Sequence, residues 1–178
     1  KIIEKIIEPT LKGLKEIKNK FRGFLYAGLM IVDGEPFLIE YNVRMGDPEC
    51  QTILPRLKTD FLDIVVATVN EDLKNINLEW FEDKSICVVL ASKGYPDEFK
   101  NNLEIEGLKE IKLQDNEYIF HAGTKVNNSK IYSNGGRVLN FVIKSGDLKI
   151  GRDQAISLIN KLNWQNGYFR KDIGYKII

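Results

Sequence analysis

The sequence LIEYNVRMGDPE occupies residues 38–49, and it decides the fold because an apolar strand pattern runs there into polar groups and a helix start. Alternation along a strand places Glu40, Asn42 and Arg44 on one face. A carboxylate and an amide oxygen two residues apart are hard oxygen ligands of the kind that Mg²⁺ prefers. An arginine on the same face suits an anionic substrate oxygen. We therefore predict the chemistry of the protein in this stretch.

The end of the same stretch predicts a helix start. Asp47 is a typical N-cap residue, Pro48 a typical first helical residue and Glu49 a first-turn acid. From the residues alone, this structural role is the simpler explanation of these three positions.

Composition limits the classes of protein to consider. The chain has 178 residues and a net charge of +1, without a basic stripe, so we expect no nucleic-acid partner. No apolar run is long enough to span a bilayer, so we expect no membrane partner either. Two cysteines are too few for a disulfide framework, and we expect a cytoplasmic protein. The chain lacks an initiator methionine and opens inside a helical pattern, so we expect a fragment of a longer protein.

The first half of the chain predicts a hairpin flanked by helices. Apolar residues recur at helical spacing over 2–17, where Pro9 marks a start or a kink. Strands are predicted over 24–32 and 37–44, joined by the turn Asp33-Gly34, and Ala27-Gly28 predicts a close approach to the backbone. A further helix is predicted over 60–74.

The second half predicts a small α+β unit, and we expect domains over 1–78 and 79–178. Strands are predicted over 85–91, 104–105, 110–113 and 117–126, and a helix over 153–162. We also expect 130–133 and 137–144 to pair around Asn134-Gly135-Gly136, and 175–178 to close a sheet edge. The fold class is therefore α+β.

A second polar cluster lies in this half. The segment His121-Ala122-Gly123-Thr124-Lys125 ends one strand, and Arg137 begins another across the expected hairpin. Lys125 and Arg137 on one side, with small residues exposing backbone N–H groups, would form an anion site of phosphate size. From the residues alone, a plain hairpin turn with two solvated cations is slightly favoured over such a site. His121 is the only histidine and has no partner at metal-ligand spacing, so a structural role is favoured.

Six ordered segments resemble the phosphoribosylamine–glycine ligase family, also called glycinamide ribonucleotide synthetases, of the ATP-grasp class. The first segments are GFLYAGLM at 23–30 and IEYNVRMGDPE at 39–49. The later ones resemble the C-terminal domain of that family in the same order: VVLASKGYP at 88–96, FHAGTK at 120–125, NGGRVL at 134–139 and RKDIG at 170–174. The resemblance implies the end of an ATP-grasp domain, a hairpin plus helices, followed by a small α+β C-terminal domain.

This resemblance implies the ATP-dependent ligation of glycine to 5-phosphoribosylamine in purine synthesis, through a glycyl phosphate. Glu40 and Asn42 match the family's Mg²⁺ or Mn²⁺ ligands, and Arg44 is expected to act on the transferring phosphoryl group or the carboxylate. Gly46, Asp47 and Glu49 are expected to shape the substrate end of the site. Lys125 and Arg137 are expected to bind the ribose phosphate of the substrate. The implied partners are ATP, glycine, 5-phosphoribosylamine and the missing N-terminal portion, in an enzyme that is a monomer when full length.

Two departures from the family qualify these expectations. The region Ala27-Gly28-Leu29 carries no acidic metal ligand, although many ATP-grasp enzymes have one on this strand. The chain also contains no glycine-rich phosphate loop and no adenine-binding segment, so we expect it to be inactive alone. Another ATP-grasp ligase of purine synthesis and a non-catalytic metal- or phosphate-binding module remain the alternatives.

Overall fold

The computed structural model describes all 178 residues, which form four α-helices and eight strands. The helices are α1 (Glu8–Glu16), α2 (Glu49–Ile53), α3 (Phe61–Val69) and α4 (Leu148–Leu162). The strands are β1 (Tyr26–Val32), β2 (Glu35–Asn42), β3 (Lys84–Ser92), β4 (Glu117–His121), β5 (Thr124–Asn127), β6 (Lys130–Ser133), β7 (Arg137–Ser145) and β8 (Gly167–Tyr168). None of the helices combines the length and the apolar character that crossing a membrane requires.

The chain divides into two units, and α2 belongs to the later one. The first unit contains Lys1–Asp47 and Lys58–Glu79, and the second contains Pro48–Leu57 and Trp80–Ile178. The chain therefore passes into the second unit directly after Asp47, and returns at Lys58. The expected division into 1–78 and 79–178 stays a prediction.

The first unit is built on the antiparallel hairpin of β1 and β2. Asp33 and Gly34 form its turn with φ values of 50° and 76°, the left-handed conformation that two-residue hairpin loops require. A one-turn π-helical segment, Ile3–Ile7, leads into α1, where Pro9 lies in the first turn as predicted. Asp60 caps α3 by accepting a hydrogen bond from the Leu62 N–H at 2.7 Å. This helix ends at Val69, earlier than the expected residue 74.

The second unit is organised by a sheet in the order β4-β7-β3-β8. On one face, alternate residues of β3 pair across the ladder with alternate residues of β7, and these side chains form the core with α4. The pairs are Ile86 with Ile143, Val88 with Phe141, and Leu90 with Leu139.

The opposite face of this sheet is buried as well. Cys87 is 8% exposed, and Asn140 and Val142 are fully buried. Since α4 covers the other face and α2 packs against both β3 and β7, we infer that α2 covers this one. The helix that follows the polar stretch 38–49 is thus held by a packed interface.

Two expectations about the start of this helix, Asp47 as the N-cap and Pro48 as the first helical residue, were wrong. Pro48, not Asp47, occupies the N-cap position, and no side chain caps the helix. Pro48 has φ −100° and ψ 19°, which lie outside the helical region, so the helix begins only at Glu49. Its five residues are too few for local signals to stabilise it, and burial against the sheet decides its position.

The expected hairpin around Asn134-Gly135-Gly136 was also wrong. β6 pairs with β5, through a turn at Asn128 and Ser129 with φ values of 46° and 63°. β7 instead pairs with β3 on one side and β4 on the other. The predicted strand over 117–126 is accordingly interrupted at Ala122 and Gly123, where the chain leaves one sheet for the other.

Smaller differences occur at the edges. The segment 104–105 makes only an isolated bridge to Tyr132, and 110–113 and 175–178 form no strand. β8 provides the sheet edge beside β3. Helix α4 begins at Leu148, five residues before the expected start, because Asp147 accepts a hydrogen bond from the Ile150 N–H at 2.9 Å and caps it there.

The cap at Asp147 predicts a pH dependence of stability. The hydrogen bond from the Ile150 N–H lowers the pKa of Asp147. The stabilisation is therefore complete above the pKa of an unfolded aspartate and is lost as the pH falls through the lower, folded-state value. We expect Asp147→Asn, which retains a capping oxygen, to lose less thermal stability than the wild type between about pH 5 and about pH 2. Asp153→Asn on the same helix removes no cap, so melting curves that match the wild type are the expected control.

Candidate functional site

The predicted metal pair lies at the end of β2. The Asn42 Nδ2 donates a hydrogen bond to the Glu40 Oε1 at 3.1 Å, so the two side chains lie together on one face as the alternation predicted. Glu40 is exposed and Asn42 is half-buried. Both face an accessible surface, which a hydrated ion carrying phosphate oxygens requires.

Gly28 makes room for this pair from the neighbouring strand. Gly28 is directly opposite Glu40 in the ladder, and a Cβ at Gly28 would lie 3.0 Å from the Glu40 Cγ. The ladder shifts its register between Gly28 and Leu29, which is the signature of a bulge. The close approach predicted at Ala27-Gly28 is therefore present, and the group that approaches is the Glu40 side chain.

The donor set fits a hard divalent cation with few protein ligands. The Glu40 carboxylate contributes two oxygens, of which Oε1 accepts from Asn42. Rotating the Asn42 amide by half a turn would present its oxygen beside that carboxylate, because amide nitrogen and oxygen are interchangeable in shape. No group of three or more ligating His, Cys, Asp or Glu side chains occurs. Mg²⁺ typically takes one or two carboxylates and completes its shell with water and phosphate, so two side chains suffice.

The remaining predicted residues of stretch 38–49 are distributed over both units. Arg44 lies two residues beyond the end of β2, is exposed, and donates from Nη1 to the Met45 carbonyl at 3.2 Å. Gly46 is buried and Asp47 is half-buried in the first unit. Glu49 is the first residue of α2 in the second unit. The predicted shared face of Glu40, Asn42 and Arg44 therefore holds on the strand itself only for the first two.

The second polar cluster forms around the loop Asn134–Arg137, called the glycine loop below. Gly123 donates to the Arg137 carbonyl at 2.8 Å, and Asn134 donates to the Gly123 carbonyl at 2.7 Å. Arg137 is exposed at the start of β7. Lys125 is exposed on β5, two residues from that contact. The structure thus brings the two predicted segments together, although by a different strand pairing from the one expected.

Close packing of small residues holds the glycine loop. A Cβ at Gly123 would lie 2.6 Å from the Arg137 carbonyl oxygen and 2.9 Å from the Gly135 Cα. A Cβ at Gly136 would lie 2.2 Å from the Tyr95 ring. Larger side chains at these two glycines would therefore force the loop apart.

Sequence reasoning missed Ser92 and Tyr95, which both contact the glycine loop. The Ser92 N–H donates to the Gly136 carbonyl at 2.7 Å, and the Ser92 hydroxyl donates to the Gly135 carbonyl at 2.9 Å. The sequence signalled only a loop after β3, since the relevant partners are more than forty positions away. His121, by contrast, contacts Thr124 through Nδ1 at 2.8 Å, in keeping with the structural role favoured from its sequence context.

Comparison with known proteins finds a matching family model for each half of the chain. Residues 1–50 match the family model described as phosphoribosylglycinamide synthetase, ATP-grasp (A) domain. Residues 85–176, more than half of the chain, match the model described as phosphoribosylglycinamide synthetase, C domain. The hairpin with its Glu40–Asn42 pair thus lies in the first region, and the glycine loop in the second.

Individual relatives with a name of the same family are similar to this chain over nearly its whole length. The phosphoribosylamine–glycine ligases of Fusobacterium nucleatum and Caldanaerobacter subterraneus are 44% and 46% identical to it, over 98% and 97% of this chain. The chain spans 41% and 40% of the lengths of these two relatives. A crystal structure of the phosphoribosylamine–glycine ligase of Thermotoga maritima is similar over 96% of this chain and 41% of its own, with a TM-score of 0.81 and 34% identity.

The match of residues 1–50 defines the class of the region that contains the predicted metal pair, which is an ATP-grasp domain. The chain belongs to the phosphoribosylglycinamide synthetase family.

Proposed function

We propose that this chain supplies the metal-binding strand and the ribose-phosphate loop of a phosphoribosylamine–glycine ligase. Such an enzyme joins glycine to 5-phosphoribosylamine and converts ATP to ADP and phosphate. The observation that carries the proposal is the Glu40–Asn42 pair on β2, in the region that matches the ATP-grasp (A) domain. The match of 85–176 to the C domain of the same family favours this ligase over other ATP-grasp ligases of purine synthesis.

Phosphoryl transfer of this kind requires charge neutralisation and positioning more than covalent help from the protein. Glu40 and Asn42 would hold Mg²⁺ or Mn²⁺, and such an ion would neutralise negative charge on the phosphates of ATP. Glu40 supplies the negative charge of this pair, and Asn42 supplies a neutral oxygen that orients the ion without adding charge. Gly28 leaves the space in which the Glu40 side chain lies.

Arg44 is the residue of the metal-bearing stretch that we assign to the reacting anion. Its guanidinium is exposed and permanently charged, and its one hydrogen bond in the structure goes to an adjacent backbone carbonyl. We propose that it binds the transferring phosphoryl group or the glycine carboxylate. Gly46, Asp47 and Glu49 would shape the substrate end of that site.

Lys125 and Arg137 are the proposed binding residues of the ribose phosphate. Two cations beside a loop of small residues give charge together with backbone donors, a combination suited to a phosphate monoester. The N–H groups of Gly135 and Gly136 donate no hydrogen bond in the structure and so remain available to an anion. The expected role of the cluster as a plain hairpin turn loses its basis, because β6 and β7 do not pair.

We further propose that the activity requires polypeptide equivalent to the rest of the relatives' length, which we call the complementary part. The relatives are more than twice as long as this chain. The β1–β2 hairpin also leaves large apolar side chains exposed on both of its faces, with exposures of 49–63% at Met30, Ile31, Val32, Phe37 and Ile39. Apolar surfaces of this extent are typical of an interface with a further layer or further strands. We name the chain plus the complementary part the assembled ligase.

If the activity requires the complementary part, the isolated chain is expected to be inactive. We expect no ADP formation that depends on both glycine and phosphoribosylamine from the 178 residues alone, because the metal pair and the glycine loop bind only parts of the substrates. A coupled assay for ADP measures this, with the full-length Fusobacterium nucleatum relative as the positive control. Adding the complementary part is expected to restore activity. Turnover by the isolated chain would contradict the proposal.

A further inference from the structure

We propose that Ser92 is the positioning residue of the glycine loop, and that it sets the affinity of this loop for a phosphate monoester. The inference rests on the proposed phosphate-binding role of Lys125 and Arg137 and deepens it. Ser92 itself does not touch the ligand. It acts by orienting the peptide groups of the loop.

The contacts of Ser92 are directed at two successive peptide groups. Its N–H donates to the Gly136 carbonyl at 2.7 Å, and its hydroxyl donates to the Gly135 carbonyl at 2.9 Å. Ser92 is only 1% exposed, so water does not compete for these bonds. One residue at the end of β3 therefore determines the direction of both carbonyls.

The planarity of the peptide bond means that the direction of a carbonyl also fixes the direction of the N–H group that follows it. In a trans peptide the carbonyl and the following N–H point in opposite directions. Because the Gly135 carbonyl points towards the Ser92 hydroxyl, the Gly136 N–H must point away from it. A backbone N–H that is held in one direction beside two cations suits an anion. The Arg137 side chain begins at the next residue.

The other contacts of the glycine loop do not replace the hydrogen bond from the Ser92 hydroxyl. The Gly136 backbone packs against the Tyr95 ring, and the Gly123 N–H holds the Arg137 carbonyl at 2.8 Å. Neither contact fixes the Gly135 peptide group. The hydroxyl of Ser92 does so, since alanine at this position would retain the backbone bond to Gly136 and lose the one to Gly135.

Ser133 provides a matched control. It is also fully buried, and its hydroxyl oxygen accepts one hydrogen bond, from the Leu103 N–H at 3.2 Å. It contacts neither the Gly135 nor the Gly136 carbonyl through its side chain. Ser133→Ala therefore removes an equally buried hydroxyl without releasing the peptide groups of the glycine loop.

The experiment measures binding of ribose 5-phosphate to the 178-residue chain by calorimetry and by amide chemical shifts. We expect Ser92→Ala to weaken binding about tenfold, the usual effect of one lost buried hydrogen bond. We expect Ser133→Ala to stay within about twofold of the wild type, and Ser92→Thr to recover most of the affinity. In the wild type the ligand should shift the Gly136 amide resonance downfield, and Ser92→Ala should reduce this shift.

The possible results separate the two proposals. Wild-type affinity in Ser92→Ala, together with weak binding in Arg137→Ala, would overturn the role of Ser92 and leave the phosphate site intact. Equal weakening by Ser92→Ala and Ser133→Ala would also overturn it, since general loosening would then be the cause. Failure of the wild type to bind ribose 5-phosphate would overturn both. If Ser92→Ala does not fold, Ser92→Cys, which retains a weak donor of similar size, takes its place with an intermediate affinity expected.

Discussion

Glu40→Gln is expected to reduce the turnover of the assembled ligase about 100- to 1,000-fold while leaving the fold unchanged. Glutamine has the size of glutamate and retains an oxygen that can accept from Asn42, whose Nδ2 lies 3.1 Å from the Glu40 Oε1. What it removes is the negative charge. In a site of only two protein ligands, that charge is the principal attraction for the cation that neutralises the ATP phosphates.

Steady-state turnover at saturating glycine and phosphoribosylamine measures this effect, and a titration with Mn²⁺ shows whether metal activation is the step affected. We expect the concentration of Mn²⁺ needed for half-maximal activity to rise in Glu40→Gln. Circular dichroism and the melting temperature report the fold. Unchanged turnover with an intact fold would eliminate Glu40 as a metal ligand.

Glu35→Gln is the matched control on the same strand. The Glu35 carboxylate contacts the ammonium groups of Lys1 and Lys5 at 2.6 and 2.5 Å, and these contacts lower its pKa. It is therefore an exposed structural carboxylate whose charge has partners within the first unit. We expect turnover within about twofold of the wild type, since exposed ion pairs contribute little even to stability. An equal loss in both variants would mean that the hairpin responds to any change of charge.

Lys125→Ala and Arg137→Ala are each expected to raise the KM for phosphoribosylamine in the assembled ligase about 10- to 100-fold. Each variant removes a charged donor from the proposed ribose-phosphate site. The KM for glycine should stay unchanged, because the glycine loop is proposed to bind the phosphate of the other substrate. Arg137→Lys should recover only part of the loss, since lysine cannot make the paired hydrogen bonds of a guanidinium.

Lys130→Ala is the control for this pair. Lys130 lies on β6 beside β5, and its ammonium contacts the Glu104 carboxylate at 2.9 Å, which raises the pKa of Lys130. The Lys130→Ala variant therefore removes a cation from the same small sheet without removing one from the glycine loop. If neither Lys125→Ala nor Arg137→Ala changes the KM for phosphoribosylamine, the proposed phosphate site is ruled out.

Local signals explain which parts of the fold could be predicted. The hairpin turn at Asp33-Gly34 and the approach at Gly28 follow from backbone preferences and strand alternation, both of which act over a few residues. The side-by-side placement of Glu40 and Asn42 follows from the same alternation. The resemblance also predicted the family, which the comparisons confirmed.

The pairing in the second half could not be predicted in this way. Asn134-Gly135-Gly136 has the composition of a tight hairpin turn, but the hairpin is made by Asn128 and Ser129. β7 is a central strand whose Asn140 and Phe141 are both fully buried, one on each face. Such a strand takes the partners that bury both faces, and the turn chemistry beside it has less influence than that burial.

By itself, then, the sequence determined the chemistry that two neighbouring side chains can perform: a carboxylate and an amide on one strand face, with a glycine opposite. Only the tertiary structure decided how the glycine loop is built. Its geometry depends on hydrogen bonds from Ser92 to residues 43 and 44 positions further along the chain. Contacts at that distance follow from which strands bury one another, and this is a property of the whole core that no local pattern contains.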